Sequence, residues 1–370
     1  MVTIRKVETG PDLDRFVKLP FRLYRNDPNW VPPLIGDAKR TLTPGQNPFW
    51  DHAERELYLA IRDQEVVGRV AAIYDRNYNE YRHSHVGYFG FLETEDDIEV
   101  AQALFSTVKT FARSRGATTI YGPATPSLND EVALLVDPFD SPPMIKMPYN
   151  PPYYPQLVEK SGFTKVKDFH AYAIRTDAPV PEKLQRVMAK LKEKPGLVVR
   201  PADLSRLDGE LALIREVYND AWSDNWDHVP MTSDEIIDLA RQLKSLVRPE
   251  TCPFVFYKGE IAGVCVSLPD YNQVLKKMNG RLFPFGWLTF LIQRRRIDQA
   301  RLWALGVKRK FHNLGFDSLL YYESFMGARR LGYRWGEVSM ILEDNVSIIR
   351  PIKMWGGKLY KTFRVYQCPA

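Results

Sequence analysis

The amino-acid sequence predicts an α/β (α+β) protein made of two tandem units, each a mixed, mostly antiparallel sheet flanked by helices. Each half of the chain opens with a short apolar strand that ends in arginine, at residues 2–5 and 197–200. Each half then continues with a hairpin and, later, with one helix followed by a strand. Because helices do not alternate strictly with strands, a doubly wound parallel sheet is not expected.

The hairpins are indicated by runs of β-branched and aromatic residues around short polar turns. Their strands are predicted at 56–62 with 66–73 and at 254–257 with 261–267. Apolar residues recur at helical spacing in 98–115, and the corresponding helix of the second half is predicted at 317–331. Strands at 116–121 and 333–340 follow these helices. The shared order of elements favours duplication over chance similarity.

The domain boundary is predicted within 177–196. A chain of 370 residues exceeds the size at which a single core keeps growing, so two domains are expected. Residues 177–182 contain structure-breaking prolines, 183–194 form a basic amphipathic pattern, and Pro195-Gly196 stops it. We therefore predict an N-terminal domain (1–176), a linker helix (177–196) and a C-terminal domain (197–370).

The composition and the sequence argue against a disordered, a membrane-spanning or a secreted protein. Hydrophobic residues make up 45% of the chain and charged residues 26%, as in globular proteins. There is no uncharged apolar run of about 18 residues, and the N-terminal sequence lacks a signal core. The three cysteines have no metal-ligand spacing. We expect a cytoplasmic protein with no metal and no nucleic-acid partner, whose net charge of +6 suits an anionic phosphate ligand or an anionic membrane face.

An anion-binding turn is predicted at 304–320, where a strand, a basic turn and a helix start follow one another. Amide N–H groups in the first turn of a helix lack intrahelical partners, and the helix dipole adds positive potential there. Segment 307–320 resembles the CoA-binding motif of the GNAT superfamily of N-acyltransferases, although only Gly315 matches it cleanly. The run 337–345, with the Gly356-Gly357 turn beyond it, resembles the closing motif of that superfamily.

The resemblance implies acyl-CoA or acetyl-CoA as co-substrate, held between two diverging strands. The positions that it implies for the cofactor site are Val307, Phe311, Asn313, Gly315 and Asn345. We also predict cofactor contacts for His312 and Phe316 of the same turn, and phosphate contacts for Lys308 and Arg309 because of their charge. A helix cap explains Asn345 equally well.

The N-terminal unit departs from this motif. Its corresponding turn carries Glu93, Glu95, Asp96 and Asp97, which suit a helix start and repel phosphate. The expected degenerate cofactor site is a feature that N-myristoyltransferases and Fem-type aminoacyltransferases share. Nearly the whole chain is similar to a group of bacterial two-domain GNAT-like proteins related to bacterial ceramide synthases, which implies a long-chain amine acceptor. The likeness lies in residues 49–54, 122–127, 149–154, 221–226 and 279–287.

Amide formation from a thioester requires a base for the amine proton and help for the thiolate leaving group. We predict Glu343 or Asp344 as the base, because both follow the strand that lines the expected slot, and Tyr360 as a candidate acid. Capping of the turn at Asn345 is the alternative role for the two carboxylates.

Two aromatic stretches are predicted to contact the acceptor. The first contains Trp222, Asn225, Trp226 and His228, and a packed loop is its alternative. The second, 281–296, contains Phe283, Phe285 and Trp287 in an apolar run bounded by arginines. It is too short to span a bilayer, and it matches a lipid tunnel or a peripheral contact with the inner membrane face. An internal helix or a dimer contact is the alternative.

The sequence therefore predicts an acyl-CoA-dependent N-acyltransferase that acts on an amine, with a lipid amine as one acceptor class. Two alternatives remain at this point: a non-catalytic acyl-CoA or lipid-binding protein, and a Fem-like aminoacyltransferase. Acyl length, acceptor and oligomeric state are not indicated.

Overall fold

The computed structural model describes residues 1–222 and 226–370 and confirms the mixed α/β architecture. Its strands, in chain order, are β1 (Thr3–Lys6), β2 (Ala53–Arg62), β3 (Glu65–Asp75), β4 (Val86–Thr94), β5 (Thr119–Gly122), β6 (Ala124–Thr125), β7 (Glu131–Val132), β8 (Leu134–Asp137), β9 (Thr164–Arg175), β10 (Leu197–Pro201), β11 (Pro253–Tyr257), β12 (Glu260–Pro269), β13 (Gln299–Val307), β14 (Trp335–Leu342) and β15 (Lys358–Pro369).

The helices of the described residues are α1 (Gly10–Leu23), α2 (Ile35–Leu42), α3 (Arg76–Arg82), α4 (Ile98–Ser114), α5 (Tyr154–Lys160), α6 (Glu182–Lys192), α7 (Leu207–Ala221), α8 (Ser233–Leu243), α9 (Asn272–Met278), α10 (Gly286–Gln293), α11 (Phe316–Arg330) and α12 (Val346–Met354). The predicted hairpins, the two helices that follow them and the linker helix are all present. None of the described helices is both long enough and apolar enough to cross a membrane.

Contacts divide the chain into two compact units. Unit 1 comprises Met1–Phe169, Val274–Ile292 and Lys361–Ala370, and unit 2 comprises His170–Gln273 and Gln293–Tyr360. Two segments that the sequence analysis placed in the C-terminal domain thus belong to unit 1. The boundaries at 1–176, 177–196 and 197–370 stay a prediction.

Unit 1 contains the strand order β1-β2-β3-β4-β5-β15, in which β8 also pairs with β15. All of these pairs are antiparallel except β4 and β5, which pair in parallel from Val86 to Tyr88. Helix α4 covers this sheet, and its predicted apolar face is buried, with Leu104 and Val108 inaccessible to solvent. The helical periodicity seen in the sequence is therefore the core face of α4.

Unit 2 repeats this plan with the strand order β10-β11-β12-β13-β14, antiparallel except for β13 and β14. Helix α11 packs Leu319 and Leu320 against one face of the sheet, which presents Val255. Helix α7 packs Val217 against Phe254, the adjacent residue of β11. Because neighbouring residues of a strand point to opposite faces, the two helices enclose the sheet between them.

Candidate active site

The parallel strands of unit 2 diverge beside the predicted anion-binding turn. Strands β13 and β14 pair only from Gln299 to Leu302, opposite Trp335 to Val338. Strand β13 nevertheless continues to Val307, and β14 continues to Leu342. Beyond this point β13 still pairs with β12 from Ala304 to Val307, while its edge toward β14 has no register partner. Backbone groups on such an edge are the kind that bind a substrate amide.

Helix α11 begins at the end of this divergence. Its N-cap residue is Gly315, which has a left-handed backbone (φ +81°), and no side chain caps the helix. The residue two positions earlier, Asn313, is also left-handed (φ +63°). Because neither residue places a capping side chain over the first turn, the helix start has the form that binds anions.

The basic turn before α11 is tied to the rest of unit 2 by acidic residues. The Lys308 side chain is buried, and its Nζ donates to carboxylates of Glu216 and Glu260. The Arg309 amide donates to Asp220 Oδ1 at 2.6 Å. These contacts give Lys308 a structural role. Phosphate binding by Lys308 and Arg309 stays a prediction.

Most of the remaining predicted cofactor residues make contacts within the turn before α11, and Asn345 lies at the start of α12. The His312 Nε2 atom lies 3.0 Å from the Val307 carbonyl oxygen. Phe311 and Phe316 pack against Tyr257, at ring-centroid distances of 6.0 and 5.5 Å. Asn345 caps α12, since its side chain accepts a hydrogen bond from the Ile348 amide. The structure brings these residues to two helix starts in unit 2, and their part in cofactor binding stays a prediction.

A buried cluster of charged and polar groups lies where β13 and β14 separate. Arg301 and Glu337 are register partners in the last paired stretch, and their side chains are 3% and 1% exposed. Arg301 Nε donates to Ser339 Oγ at 2.8 Å and lies 3.5 Å from Glu337 Oε1. The Tyr360 hydroxyl donates to Glu337 Oε2. Glu337 Oε1 accepts no hydrogen bond from the described residues.

Among the predicted catalytic residues, the structure places Tyr360 in this cluster. Burial, and then the negative charge of Glu337, raise the pKa of the Tyr360 phenol well above its usual value, so the hydroxyl remains protonated at neutral pH. Glu343 and Asp344 lie instead in the turn between β14 and α12, where Glu343 is half-buried and Asp344 is exposed. Sequence reasoning missed Glu337 and Arg301. The signal available was the single charged residue in each of these two mostly apolar strands.

A second predicted group forms an aromatic cluster in unit 2. Trp222 stacks on Tyr218 with ring centroids 4.9 Å apart, and His228 lies 5.4 Å from the same tyrosine. The Trp222 indole covers Gly306 of β13 so closely that a Cβ there would lie 2.2 Å from the ring. Trp222 and His228 therefore flank the diverging end of β13. Trp226 is half-buried, and Asn225 lies outside the described residues.

The other predicted acceptor residues, Phe283, Phe285 and Trp287, belong to unit 1. All three are exposed to solvent. They lie in and before α10, which has no buried residue. Binding of the acceptor by these residues stays a prediction.

The start of α4, which corresponds to α11 in unit 1, is closed. Asp97 accepts hydrogen bonds from the Glu99 and Val100 amides and pairs with Arg62 at 2.6 Å. Beside β4, the backbone of β6 occupies the position next to Gly90, where a Cβ would lie 1.8 Å from the Ala124 carbonyl oxygen. In unit 1, therefore, the space beside β4 is occupied by β6 of the same unit. Among the residues that the structure describes, no cluster of potential metal ligands occurs in either unit.

Comparisons with known proteins agree with this geometry. No protein-family model matches the sequence. Over 373 residues the chain is 38% identical to a bacterial ceramide synthase of Caulobacter vibrioides, with 99% of this chain and 97% of that protein covered. The chain belongs to the bacterial ceramide synthase family. Protein YghO of Escherichia coli is 32% identical over 365 residues, covering 96% of this chain and 92% of that protein.

The fold of this family member is that of a tandem GNAT protein. A tandem GNAT protein from the clavulanic acid biosynthesis pathway superposes with a TM-score of 0.62, at 12% identity, covering all of this chain and 98% of the other. The chain is accordingly an N-acyltransferase, an enzyme that transfers an acyl group to an amine. This confirms the predicted superfamily, fold and enzyme class.

Proposed function

We propose that this enzyme transfers a long-chain acyl group from acyl-CoA to the amino group of a long-chain lipid amine, with both substrates bound in unit 2. The observation that carries the proposal is the combination of diverging strands and an uncapped helix start at Gly315. The ceramide synthase name of the Caulobacter relative supports a lipid amine as the acceptor class.

The helix start is suited to the diphosphate of CoA. The first amides of α11 point away from the helix body and carry the positive end of its dipole. Lys310 and Arg309 are exposed beside this turn. The edge of β13 that faces β14, from Trp303 to Gly306, offers backbone groups to the amides of the pantetheine arm.

The buried cluster is suited to removing the proton of the attacking amine. As the amine nitrogen bonds to the thioester carbon, its proton passes to the Tyr360 oxygen while the phenolic proton passes to Glu337. The tetrahedral intermediate then collapses, the C–S bond breaks, and CoA leaves as the thiolate, which takes up a proton to give free CoA. Tyr360 is half-buried and shields Glu337 from solvent. Arg301 Nε lies 3.5 Å from Glu337 Oε1, so a positive charge is buried beside this carboxylate. General-base help of this kind contributes about 10²- to 10⁴-fold in rate.

The decisive experiment adds a negative charge at the helix start. Gly315→Glu places a carboxylate where the diphosphate would bind. Gly332→Glu is a matched control, because Gly332 has the same left-handed backbone (φ +80°), follows the other end of α11, and has open space around its Cα. Both variants carry the same strain and the same added charge. Thermal unfolding is measured with and without palmitoyl-CoA.

We expect palmitoyl-CoA to raise the melting temperature of the wild-type protein and of Gly332→Glu, and to leave that of Gly315→Glu unchanged. Release of free CoA when a sphingoid base is added should follow the same order. No shift with the wild-type protein, or equal loss in both variants, would contradict the proposed site.

A further inference from the structure

An exposed apolar surface lies on unit 1, formed by residues 282–292 and hereafter called the 282–292 surface. Phe283 and Phe285 are 72% and 74% exposed. The other large side chains of the surface that are exposed are Leu282, Trp287, Leu288, Leu291 and Ile292. Contiguous apolar patches of this kind on a water-facing protein mark interaction sites.

The 282–292 surface is held in place by unit 1. The loop before it packs Gly280 against Phe21, where a Cβ would lie 2.5 Å from the ring. The Gly280 carbonyl also accepts a hydrogen bond of 3.0 Å from the Ile35 amide. Lys276 donates to the Pro28 carbonyl oxygen. The surface is therefore presented by a fixed loop.

Its polar groups are satisfied within the segment itself. The Trp287 indole N–H donates to the Pro284 carbonyl at 2.9 Å, and the Trp287 amide donates to the Leu282 carbonyl at 2.8 Å. The Thr289 amide bonds to the Phe285 carbonyl at 3.1 Å. Groups paired in this way lose little when they leave water, because they keep their hydrogen bonds in an apolar phase.

Helix α10 presents a broad apolar face. Its exposed residues are Trp287, Leu288, Leu291 and Ile292, which follow the spacing i, i+1, i+4, i+5. The helix contains no charged residue and no buried residue. Such a face is typical of a helix that lies in the interface of a bilayer.

The stretch of sequence that carries this surface contains only positive charges. Residues 271–297 contain six basic residues and no acidic residue: Lys276, Lys277, Arg281, Arg294, Arg295 and Arg296. This charge equals the formal net charge of the entire chain, +6. Basic residues near an anionic leaflet strengthen binding to it by electrostatic attraction. In a two-fold contact between copies, the same residues would face each other and repel.

From these observations we infer that the 282–292 surface docks on an anionic lipid bilayer, with the two phenylalanines and the exposed face of α10 inserted among the acyl chains. The inference goes beyond the proposed function and does not depend on the acceptor. It specifies which surface of unit 1 faces the membrane.

The test is co-sedimentation of the full chain with vesicles of phosphatidylcholine alone and of phosphatidylcholine containing phosphatidylglycerol. The first variant combines Phe283→Ser with Phe285→Ser. Its control combines Val198→Ser with Met354→Ser, two exposed apolar positions outside the surface. The second variant combines Arg281→Gln, Arg295→Gln and Arg296→Gln. Melting temperatures verify folding, since none of these side chains is buried.

We expect the wild-type protein to bind the anionic vesicles, to bind neutral vesicles at least about tenfold less well, and to dissociate at high salt. The phenylalanine variant should bind at least about tenfold more weakly than its control, because two large apolar side chains no longer enter the bilayer. The arginine variant should lose the preference for anionic lipid.

Three results would overturn the inference: no binding to either vesicle, equal binding by the phenylalanine variant and its control, or unchanged lipid preference in the arginine variant. A dimer in light scattering that becomes monomeric on Phe283→Ser and Phe285→Ser, without vesicle binding, would assign the surface to a second copy of the chain instead.

Discussion

The two units begin their central helices in opposite ways. In unit 1, Asp97 caps α4 and is itself paired with Arg62. In unit 2, the N-cap of α11 is Gly315, and no side chain caps it. An acidic cap stabilises a helix by about 1 kcal/mol, whereas an open start leaves amides for a ligand. The helix start is thus capped by a side chain in unit 1 and uncapped in unit 2, where we propose that it binds a ligand.

The parallel strand pairs, β4 with β5 in unit 1 and β13 with β14 in unit 2, also differ in the residues that they bring together. At the third position of each pairing, unit 1 carries Tyr88 opposite Tyr121, and unit 2 carries Arg301 opposite Glu337. A buried ion pair is a weak source of stability, because removing two charges from water costs about as much as their attraction returns. Its presence in unit 2 is the basis for our proposal that this cluster transfers a proton. The comparison therefore leads us to propose that the reaction takes place in unit 2.

The largest effect is expected from Glu337→Gln. Loss of the carboxylate removes the proton acceptor, so we expect kcat to fall by about 10²- to 10⁴-fold with little change in the melting shift caused by palmitoyl-CoA. Tyr121→Phe, at the corresponding position of unit 1, serves as the control and should keep kcat within about twofold. Steady-state release of CoA measures both.

Two results would break this part of the comparison. Equal loss of kcat in Tyr121→Phe would place part of the reaction in unit 1. A full loss in Glu343→Gln or Asp344→Asn, with Glu337→Gln active, would return the base to the turn after β14. The Tyr360→Phe variant should resemble Glu337→Gln, because it breaks the same relay.

An intermediate effect is expected from Gly306→Ala. The new methyl group would meet the Trp222 ring and displace it, at a cost of about 1–3 kcal/mol in the free energy of unfolding. We also expect a higher KM for the amine, because the ring flanks the diverging strand. In unit 1, Gly68→Ala crowds Val100 in the same way, with a Cβ 2.8 Å from Cγ1. Gly68→Ala should lose stability and keep the KM of the wild-type protein. If its KM for the amine also rises, the rise in Gly306→Ala does not depend on the position of Trp222.

The smallest effect is expected from Asp97. Its hydrogen bond with Arg62 outweighs burial and holds the pKa of this carboxyl below its ordinary value. A lowered pKa adds stability above the unfolded-state pKa of about 3.9, and this stability is lost as pH falls through the lower folded-state value. Asp97→Ala should therefore cost about 1 kcal/mol between pH 5 and 8, and less below about pH 4.

Urea unfolding at several pH values measures this cost, and the melting shift with palmitoyl-CoA should not change. Asp97→Asn keeps a capping side chain and should lose only a few tenths of a kcal/mol. A lost cofactor shift in Asp97→Ala would mean that unit 1 takes part in binding.

Local patterns in the sequence were sufficient for the repeated elements. The apolar face of α4 and the two hairpins depend on residues close in the chain, and they were predicted with small errors at their ends. The ion pair between Lys308 and Glu216 joins residues far apart, and no local pattern indicates it. The partners Arg301 and Glu337 depend on the register of two parallel strands, which becomes known only when α11 connects them. The long-range polar contacts of the site were therefore beyond sequence reasoning.

The concentration of surplus charge within 271–297 also affects how the protein behaves in solution. The remaining parts of the chain have equal numbers of acidic and basic residues. Chains near zero net charge tend to self-associate and precipitate. Neutralising the arginines around α10 would bring the whole protein toward its isoelectric point at working pH, so the same stretch governs colloidal solubility and retention on a cation exchanger.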